Sequence, residues 1–284
     1  MALPFSLPLI LDGATGTELQ KRGLPFGVCA ERWILEHPQA VLDLQRGYAR
    51  AGSQAILAPT FGANRASLDK YGLSDQTRTY NLHLAELSQI AGEGRVLVGG
   101  DLSPTGLFME PLGDSSFDDI AEIYREQAEA LAEAGVDFFA VETQLSGQEA
   151  LAALKAVRSA SDKPVFVSFA LSDRGLSFWG ETLADLAPDF QSAGADAFGV
   201  NCCGDLALIA RVLREIHGRT DLPLFVKPNA GLPRVEDGRA LYDMTPETLA
   251  AAVPDFLAAG ARLLGGCCGT TPDHIRAIVR AVNG

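Results

Sequence analysis

The chain has 284 residues and a formal net charge of −13, from 23 lysines and arginines against 36 aspartates and glutamates. An acidic chain is not expected to bind nucleic acid, because phosphates repel it. Hydrophobic residues make up 47% of the sequence, which supplies a core and excludes a mainly disordered protein. No apolar run approaches the roughly 20 residues of a membrane-spanning helix, and the start of the chain lacks the basic residues of a secretion signal. We therefore predict a cytoplasmic protein with no membrane partner.

A helix-forming stretch, then Ala-Gly, then a short apolar run recurs along the chain at 51–52, 134–135, 193–194 and 259–260. Glycine just past a helix closes its last turn, so each pair marks a helix end followed by a strand. The pattern predicts strands at 8–11, 55–58, 96–99, 138–141, 165–169, 197–200, 224–226 and 262–264. The stretches between them predict helices at 38–50, 77–90, 117–133, 148–159, 182–192, 205–217, 246–258 and 272–282.

The predicted strands are apolar on both faces, which is typical of a parallel sheet covered by helices. Eight strand-then-helix units over this length predict an α/β fold, a (β/α)8 TIM barrel, with a doubly wound open sheet as the alternative. No linker or low-complexity segment divides the chain, so one domain over residues 1–284 is expected. Chemistry in such barrels lies at the C-terminal ends of the strands.

Polar and sulfur-containing residues follow most of the predicted strands. They are Asp12 and Gly13, Thr60 and Phe61, Asp101, Glu142 and Thr143, Asn201, Cys202 and Cys203, Lys227, Pro228 and Asn229, and residues 265–269. We expect these residues to share one rim of the barrel, where the loops converge.

Five cysteines, an odd number, favour a reducing compartment over a disulfide framework. Cys202, Cys267 and Cys268 follow the sixth and eighth strands, which lie two positions apart in a closed barrel. Three thiolates with a fourth position open are typical of a catalytic zinc, and the neighbouring glycines let the backbone turn both adjacent sulfurs inward. Cys29 and Cys203 are expected to pack in the interior. The alternatives are that all five are buried hydrophobes, or that adjacent cysteines form a regulatory disulfide.

Such a zinc site suits thiol chemistry better than hydrolysis, because three thiolates leave the metal a mild Lewis acid. A thiol that reaches the open position loses its proton and becomes nucleophilic. Transfer of an alkyl group to a small thiol is the reaction that these groups serve.

Seven segments carry a resemblance that spans almost the whole chain. They are LDGATGTELQ at 11–20, TFGAN at 60–64, SPTG at 103–106, VET at 141–143, GVNC at 199–202, PNAGLP at 228–233 and GGCCGTTP at 265–272. The sequence resembles the zinc-dependent homocysteine S-methyltransferases, and within that family the homocysteine-binding module of cobalamin-dependent methionine synthase. The resemblance implies a TIM barrel that transfers a methyl group to homocysteine and forms methionine.

The resemblance also implies roles for individual residues. It implies a Zn²⁺ held by Cys202, Cys267 and Cys268. It places the substrate's ammonium against Asp12 and Glu142 and its carboxylate on backbone amides of the turn over 13–16. Asn201 is implied to orient the site. The full set of implied substrate-binding residues is Asp12, Gly13, Ala14, Thr15, Glu142, Thr143 and Asn201. Taken singly, Asp12 could instead cap the following segment, Glu142 could pair with a local arginine, and the glycines could serve only the turn.

The methyl donor differs within the family. Gly62 and Thr143 stand where betaine-using relatives are expected to have aromatic residues, which disfavours betaine. The chain has no Asp-x-His-x-x-Gly motif of a corrinoid module, so the expected donor is methylcobalamin carried by a separate methyl-corrinoid protein. The alternatives are S-methylmethionine as donor, a module of a longer enzyme, a noncatalytic thiol- or zinc-binding module, and a redox sensor with an adjacent-cysteine disulfide.

Overall fold

Eight parallel strands form one continuous sheet in the computed structural model, which describes residues 3–236 and 239–284. In chain order they are β1 (Leu9–Ile10), β2 (Ala55–Leu57), β3 (Leu97–Leu102), β4 (Phe138–Gln144), β5 (Val165–Phe169), β6 (Ala197–Asn201), β7 (Leu224–Lys227) and, after a two-stranded hairpin of β8 (Arg234–Glu236) and β9 (Arg239–Leu241), β10 (Ala261–Leu264). Their order in the sheet is β1-β10-β7-β6-β5-β4-β3-β2. Strands β6 and β10 are therefore separated only by β7.

The two edge strands of this sheet, β1 and β2, meet and bring it close to full closure. The Gln54 backbone N–H donates to the carbonyl of Ile10 at 2.7 Å, and the Gln54 side chain accepts from the Ile10 N–H at 2.8 Å. At the C-terminal ends of the same two strands, the Leu57 N–H donates to Oδ2 of Asp12 at 2.9 Å. The (β/α)8 barrel is thus confirmed, and the open-sheet alternative is wrong.

Helices surround the barrel. They are α1 (Gly16–Lys21), α2 (Ala30–Glu36), α3 (Pro38–Ala51), α4 (Arg65–Asp69), α5 (Thr77–Gly92), α6 (Phe117–Glu133), α7 (Gly147–Ala160), α8 (Leu183–Ser192), α9 (Leu206–His217), α10 (Pro246–Ala251), α11 (Val253–Ala258) and α12 (Pro272–Asn283). A short 3₁₀ helix spans Ser74–Gln76. No helix in the described ranges has both the length and the apolar character needed to cross a bilayer.

The predicted helices are all present, with one difference. The predicted helix over 246–258 is two helices that meet at Ala252. Pro254 lies in the first turn of the second helix, where its ring would clash with the preceding turn of a continuous helix and its missing N–H costs nothing. The short helices α1, α2 and α4, which lie in the loops after β1 and β2, were not predicted.

The apolar half of the barrel interior is filled by side chains. Its core includes Phe138, Phe166 and Phe225, with the rings of Phe138 and Phe166 stacked at 4.9 Å between centroids. Gly99 makes room for this stack, because a Cβ there would lie 2.3 Å from the Phe138 ring. A second and larger apolar cluster lies between the strands and the helices. The rigid barrel therefore fixes the positions at which its strands end.

Candidate active site

Charged side chains replace apolar ones at the C-terminal end of the barrel interior. Residues two apart on a strand point to the same face. Glu142 stands two residues after Ala140, and Lys227 stands two residues after Phe225; Ala140 and Phe225 both belong to the interior core. Asp101, on the neighbouring strand β3, lies opposite Ala140 in the sheet, two residues before the level of Glu142. These three charged residues are each more than nine-tenths buried, and they form a polar layer above the apolar interior.

Three sulfurs meet beside this layer. The Sγ atoms of Cys202, Cys267 and Cys268 all lie within 4.8 Å of one another, and each residue is partly exposed. Cys202 directly follows β6, and the other two follow β10, with only β7 between the two strands. The expected convergence of these side chains is therefore what the fold produces. Three sulfurs at this separation fit one metal ion as shared ligands, with space for a further ligand.

The backbone at both strand ends is shaped to turn these sulfurs inward. Cys202 adopts a left-handed conformation with φ of 54°, which is uncommon for a residue with a side chain and typical of functional sites. Its N–H donates to the carbonyl of Lys227 at 3.1 Å, and the Cys267 N–H donates to that of Pro228 at 2.8 Å. Gly269, with φ of 80°, closes the turn that carries the adjacent pair. The loop after β7 thus holds both cysteine segments in place.

The thiols influence one another through short-range hydrogen bonds. Hydrogen bonds from Cys202 and Cys267 hold the pKa of the Cys268 thiol well below its usual value. The same bonds raise the pKa of Cys202, which donates to both neighbours. The cluster therefore favours a thiolate, the form of cysteine that binds metal, at Cys268, whereas the pKa of Cys267 is raised to about 12.

Lys227 forms a buried ion pair with two carboxylates. Its Nζ lies 3.0 Å from Oε2 of Glu142 and 3.8 Å from Oδ1 of Asp12. Burial alone would disfavour the ammonium, but the charges of Glu142 and Asp12 outweigh it and raise the pKa of Lys227. Burial raises the pKa of Asp12 to about 6 and also raises the pKa of Glu142. From the sequence, Lys227 is placed at a strand end without a role.

Asp101 adds a third carboxylate to the same cavity wall. Burial, followed by the nearby charge of Glu142, raises its pKa well above the usual value. Like Lys227, it was noted only for its position after a predicted strand. The signal that could have identified it is an acidic residue near the C-terminal end of an apolar strand, next to the strand that carries Glu142.

Asn201 acts on the site through Thr143. Its side-chain carbonyl accepts from the Thr143 N–H at 2.8 Å and from the Ser168 hydroxyl at 3.0 Å, and its amide donates to Oγ1 of Thr143 at 2.7 Å. Asn201 is fully buried, whereas Thr143 lines the cavity in a left-handed conformation with φ of 62°. Asn201 is therefore placed to orient Thr143 rather than to contact a ligand.

The turn after β1 forms another wall of the cavity. The Ala14 N–H already donates to Oγ1 of Thr270 at 3.1 Å, and the Ala14 carbonyl accepts from the Tyr48 hydroxyl at 2.7 Å. The predicted carboxylate-binding turn is therefore held by the loop after β10 and by α3. With the Ala14 amide engaged internally, the amides of Gly13, Thr15 and Gly16 remain as the predicted donors of this turn.

These groups surround a cavity of about 390 Å³. Its wall includes Asp12, Gly13, Ala14, Thr15, Glu31, Phe61, Asp101, Glu142, Thr143, Lys227 and the three clustered cysteines. Phe61 is the one aromatic side chain on this wall among the described residues. The cavity therefore combines a sulfur cluster, an acidic wall and a backbone turn within one small volume.

Glu31 is a further buried acid that the sequence did not reveal. It lies on the unpredicted helix α2 and accepts from the Gly62 N–H at 2.9 Å and from the thiol of Cys29 at 3.4 Å. Burial raises its pKa. Cys29 and Cys203 are both buried and lie outside the sulfur cluster, as expected.

Comparison with known proteins points to one family. The sequence profile of the family described as homocysteine S-methyltransferase matches residues 9–282. The homocysteine S-methyltransferase of Escherichia coli is 31% identical to this chain, over 95% of this chain and 94% of its own length. The methionine synthases of Mycobacterium leprae and Mycobacterium tuberculosis are each 31% identical over 96% of this chain. This chain spans only 24% of the length of those two proteins.

Solved structures give the same picture. The metallated form of the homocysteine methyltransferase MmuM from Escherichia coli superposes with a TM-score of 0.82 at 30% identity, covering 97% of this chain and 96% of that one. Its apo form superposes with a TM-score of 0.77 at 29% identity, over 96% and 95% of the two chains. The sulfur cluster described above thus lies in a fold shared with a protein that has been crystallised with metal.

Proposed function

This chain belongs to the homocysteine S-methyltransferase family, and we propose that it transfers a methyl group to the thiol of homocysteine to form methionine. The observation that carries the proposal is the meeting of Cys202, Cys267 and Cys268 beside a cavity with an acidic wall. Sulfur ligands favour a soft or borderline metal, and zinc is the metal that takes three thiolates with a fourth position open. We therefore assign these cysteines as zinc ligands.

The charges of the cavity suit an amino acid that carries a thiol. Asp12 and Glu142 offer carboxylates to an ammonium group, and the turn around Gly13 and Thr15 offers backbone N–H groups to a carboxylate. The sulfur cluster lies on the same cavity wall, so the thiol end of homocysteine would point to the three cysteines while its other end is held. Thr143, positioned by Asn201, lies beside Glu142 and completes the acidic side of the wall.

Zinc held by the three sulfurs would favour the deprotonated form of an incoming thiol. The protein residues align that sulfur with the methyl donor and fix the amino-acid end, so that little orientational freedom remains to be lost at the transition state. The carbon–sulfur bond forms as the bond between methyl and donor breaks. The donor keeps the electron pair of that bond, and the thiol proton passes to solvent.

We propose a methyl-corrinoid protein as the donor. Exposed apolar side chains on the loops after β3 and β5 support a protein partner: Leu107, Phe108, Leu112, Phe178 and Trp179. The rings of Phe108 and Trp179 lie 6.4 Å apart, so the two loops contribute to one apolar rim. Exposed apolar patches of this kind are typical of interaction surfaces. The rim lies at the C-terminal ends of the strands, on the same face of the barrel as the sulfur cluster.

Betaine is a poor candidate for the donor. A quaternary ammonium is best bound within several aromatic rings, and the described cavity wall offers only Phe61. A larger residue at position 62 would require the Glu31 side chain to move, because a Cβ on Gly62 would lie 2.5 Å from Oε1 of Glu31. S-methylmethionine, which needs no aromatic cage, stays a competitor to the corrinoid donor.

A donor screen tests the proposal. Zinc-loaded protein is mixed with homocysteine and, in separate reactions, methylcobalamin, S-methylmethionine or betaine, and methionine is measured by mass spectrometry. We expect methionine with methylcobalamin and none with betaine. Cys267→Ala should abolish both bound zinc and product, whereas Cys203→Ala, a buried cysteine outside the cluster, should retain both.

The other outcomes separate the competing functions. Homocysteine binding without methionine from any donor would indicate a noncatalytic thiol- or zinc-binding module. Reversible loss of two thiols on mild oxidation, without bound zinc in the reduced protein, would indicate a redox sensor. Since both the metal site and the reaction need reduced thiols, we place the protein in a reducing compartment such as the cytoplasm.

A further inference from the structure

Asp101 carries a carboxylate that has no partner in the described part of the protein. Its backbone is held firmly: its N–H donates to Oγ1 of Thr60 at 3.0 Å, and that hydroxyl donates to the Asp101 carbonyl at 2.9 Å. Its side-chain Oδ1 is buried without a hydrogen bond, and the residue is only 7% exposed. A buried polar group without a partner is rare in native proteins and calls for an explanation.

The other acids of the cavity wall differ from Asp101 in this respect. Glu142 accepts from Lys227 at 3.0 Å, Asp12 accepts from the Leu57 N–H at 2.9 Å, and Glu31 accepts from the Gly62 N–H at 2.9 Å. Each therefore has at least one donor that belongs to the fold. The backbone of Asp101 is held by its strand, but its side-chain carboxylate is free to accept a hydrogen bond from a bound ligand.

Charge balance points to the kind of donor. Among the residues that the structure describes on the cavity wall, Lys227 is the one cation, and it faces the three carboxylates of Asp12, Asp101 and Glu142. Oδ1 of Asp12 is likewise buried without a hydrogen bond, although it lies 3.8 Å from that ammonium. A second cation with several N–H groups would satisfy these open acceptors, and a substrate ammonium has three.

We infer that Asp101 is a substrate-binding residue that accepts a hydrogen bond from the α-ammonium of the acceptor and selects amino-acid thiols over thiols without an amino group. The inference rests on the proposed function, since it takes homocysteine as the ligand of this cavity. In this arrangement Glu142 is shared between Lys227 and the incoming ammonium, and Asp12 and Asp101 supply the further acceptors. Asp101 thereby joins Asp12 and Glu142, the two carboxylates for which the family resemblance implies this role.

Two ligands that differ only in the amino group test this role. Calorimetric titration of zinc-loaded protein compares L-homocysteine with 4-sulfanylbutanoic acid, which keeps the thiol and the carboxylate. Asp101→Asn, which removes the charge but keeps the shape, should weaken homocysteine binding by about tenfold or more. It should leave binding of 4-sulfanylbutanoic acid within about twofold of the wild-type value. Equal effects on both ligands, or no effect on either, would overturn the inference.

Stability distinguishes a binding role from a structural one. Because Asp101 has no partner to lose, the ligand-free Asp101→Asn protein should melt at the wild-type temperature or above it at neutral pH. A residue with a structural role would lower the melting temperature instead. Glu31→Gln serves as the matched control, because Glu31 lines the same cavity but is bonded to Gly62; it should leave the ratio of the two affinities unchanged.

The same titrations separate this inference from the proposed function. If the wild type binds homocysteine and makes methionine, and the Asp101→Asn variant binds homocysteine equally well, only the role of Asp101 is refuted. If the wild type binds homocysteine but makes no methionine, the proposed reaction is contradicted. The ratio of the affinities for homocysteine and 4-sulfanylbutanoic acid then still tests the role of Asp101. Wild-type protein that binds neither ligand contradicts both.

Discussion

Nζ of Lys227 lies 3.0 Å from Oε2 of Glu142, although 85 residues separate the two in the sequence. Strands β7 and β4 carry them into the same buried layer of the barrel, where their side chains are 4% and 7% exposed. A buried ion pair gains little net free energy, but removing one partner leaves an uncompensated buried charge. The pair therefore makes the charged layer sensitive to single substitutions.

Lys227→Met should destabilise the protein by about 3 kcal/mol at neutral pH, because Glu142 and Asp12 lose their common cation. The loss should shrink in acid, where the two carboxylates take up protons. Urea denaturation at neutral and acidic pH measures both effects. Lys21→Met, at an exposed lysine paired with Glu18, is the control and should cost less than about 1 kcal/mol. A Lys227→Met variant as stable as the control would show that the pair is not important for the fold.

The pKa of Asp12 predicts a pH dependence of stability with a definite sign. Its folded-state pKa of about 6 lies above the ordinary value of 3.8. Between these two pH values Asp12 is protonated in the folded protein and ionised in the unfolded chain. Its contribution to the free energy of unfolding is therefore complete below about pH 4 and is lost as the pH rises through about 6. Between about pH 5 and 7.5 the wild type should lose about 1 kcal/mol relative to Asp12→Asn. Denaturation of both proteins at the two pH values tests this; a constant difference would contradict the raised pKa.

Two glycines of the turn after β1 offer a matched pair. A Cβ on Gly13 would lie 2.8 Å from both Oγ1 of Thr270 and the hydroxyl of Tyr48, whereas a Cβ on Gly16 would meet nothing within 4 Å. Gly13→Ala should therefore displace the turn and raise the KM for homocysteine by about tenfold or more, since the turn supplies the proposed carboxylate contacts. Gly16→Ala should leave the KM within about twofold. Steady-state kinetics measure both, and equal KM values in the two variants would refute this role of the turn.

The exposed apolar rim predicts a difference between a protein-borne donor and a free one. Phe108→Asp, at a residue 64% exposed, should weaken use of a methyl-corrinoid protein by about tenfold while leaving the rate with free methylcobalamin unchanged. Ile90→Asp, at an exposed residue of α5 outside the rim, is the control and should affect neither donor. If Phe108→Asp lowers both rates equally, the rim is not a docking surface.

The barrel and the sulfur cluster could be predicted because both depend on short local patterns. Apolar runs and Ala-Gly helix ends identify the strand ends, and in a parallel barrel strand ends converge whatever the loops do. Cys202 and Cys267 therefore meet although 65 residues separate them in the numbering. The predicted strand bounds fall one to three residues short at β3, β4, β6 and β7, because each extension includes a polar residue that is still paired in the sheet: Asp101, Gln144, Asn201 and Lys227.

The partners of the charged residues could not be predicted in the same way. That Lys227 pairs with Glu142, or that Asp101 has no partner, depends on side-chain positions across the barrel and not on spacing along the chain. Glu31 was missed because its helix has only seven residues and its partner, Gly62, lies 31 residues away. Short helices in long loops are stabilised by tertiary contacts more than by local propensity, so the sequence carries little signal for them.

X-ray absorption spectroscopy at the zinc edge, on protein with and without homocysteine, tests the central claim most directly. If Cys202, Cys267 and Cys268 hold zinc and leave one position for the substrate thiol, the metal should show about three sulfur ligands alone and about four with homocysteine. 4-Sulfanylbutanoic acid at saturating concentration should give the same increase. An unchanged number of sulfur ligands in the presence of bound homocysteine would contradict the account.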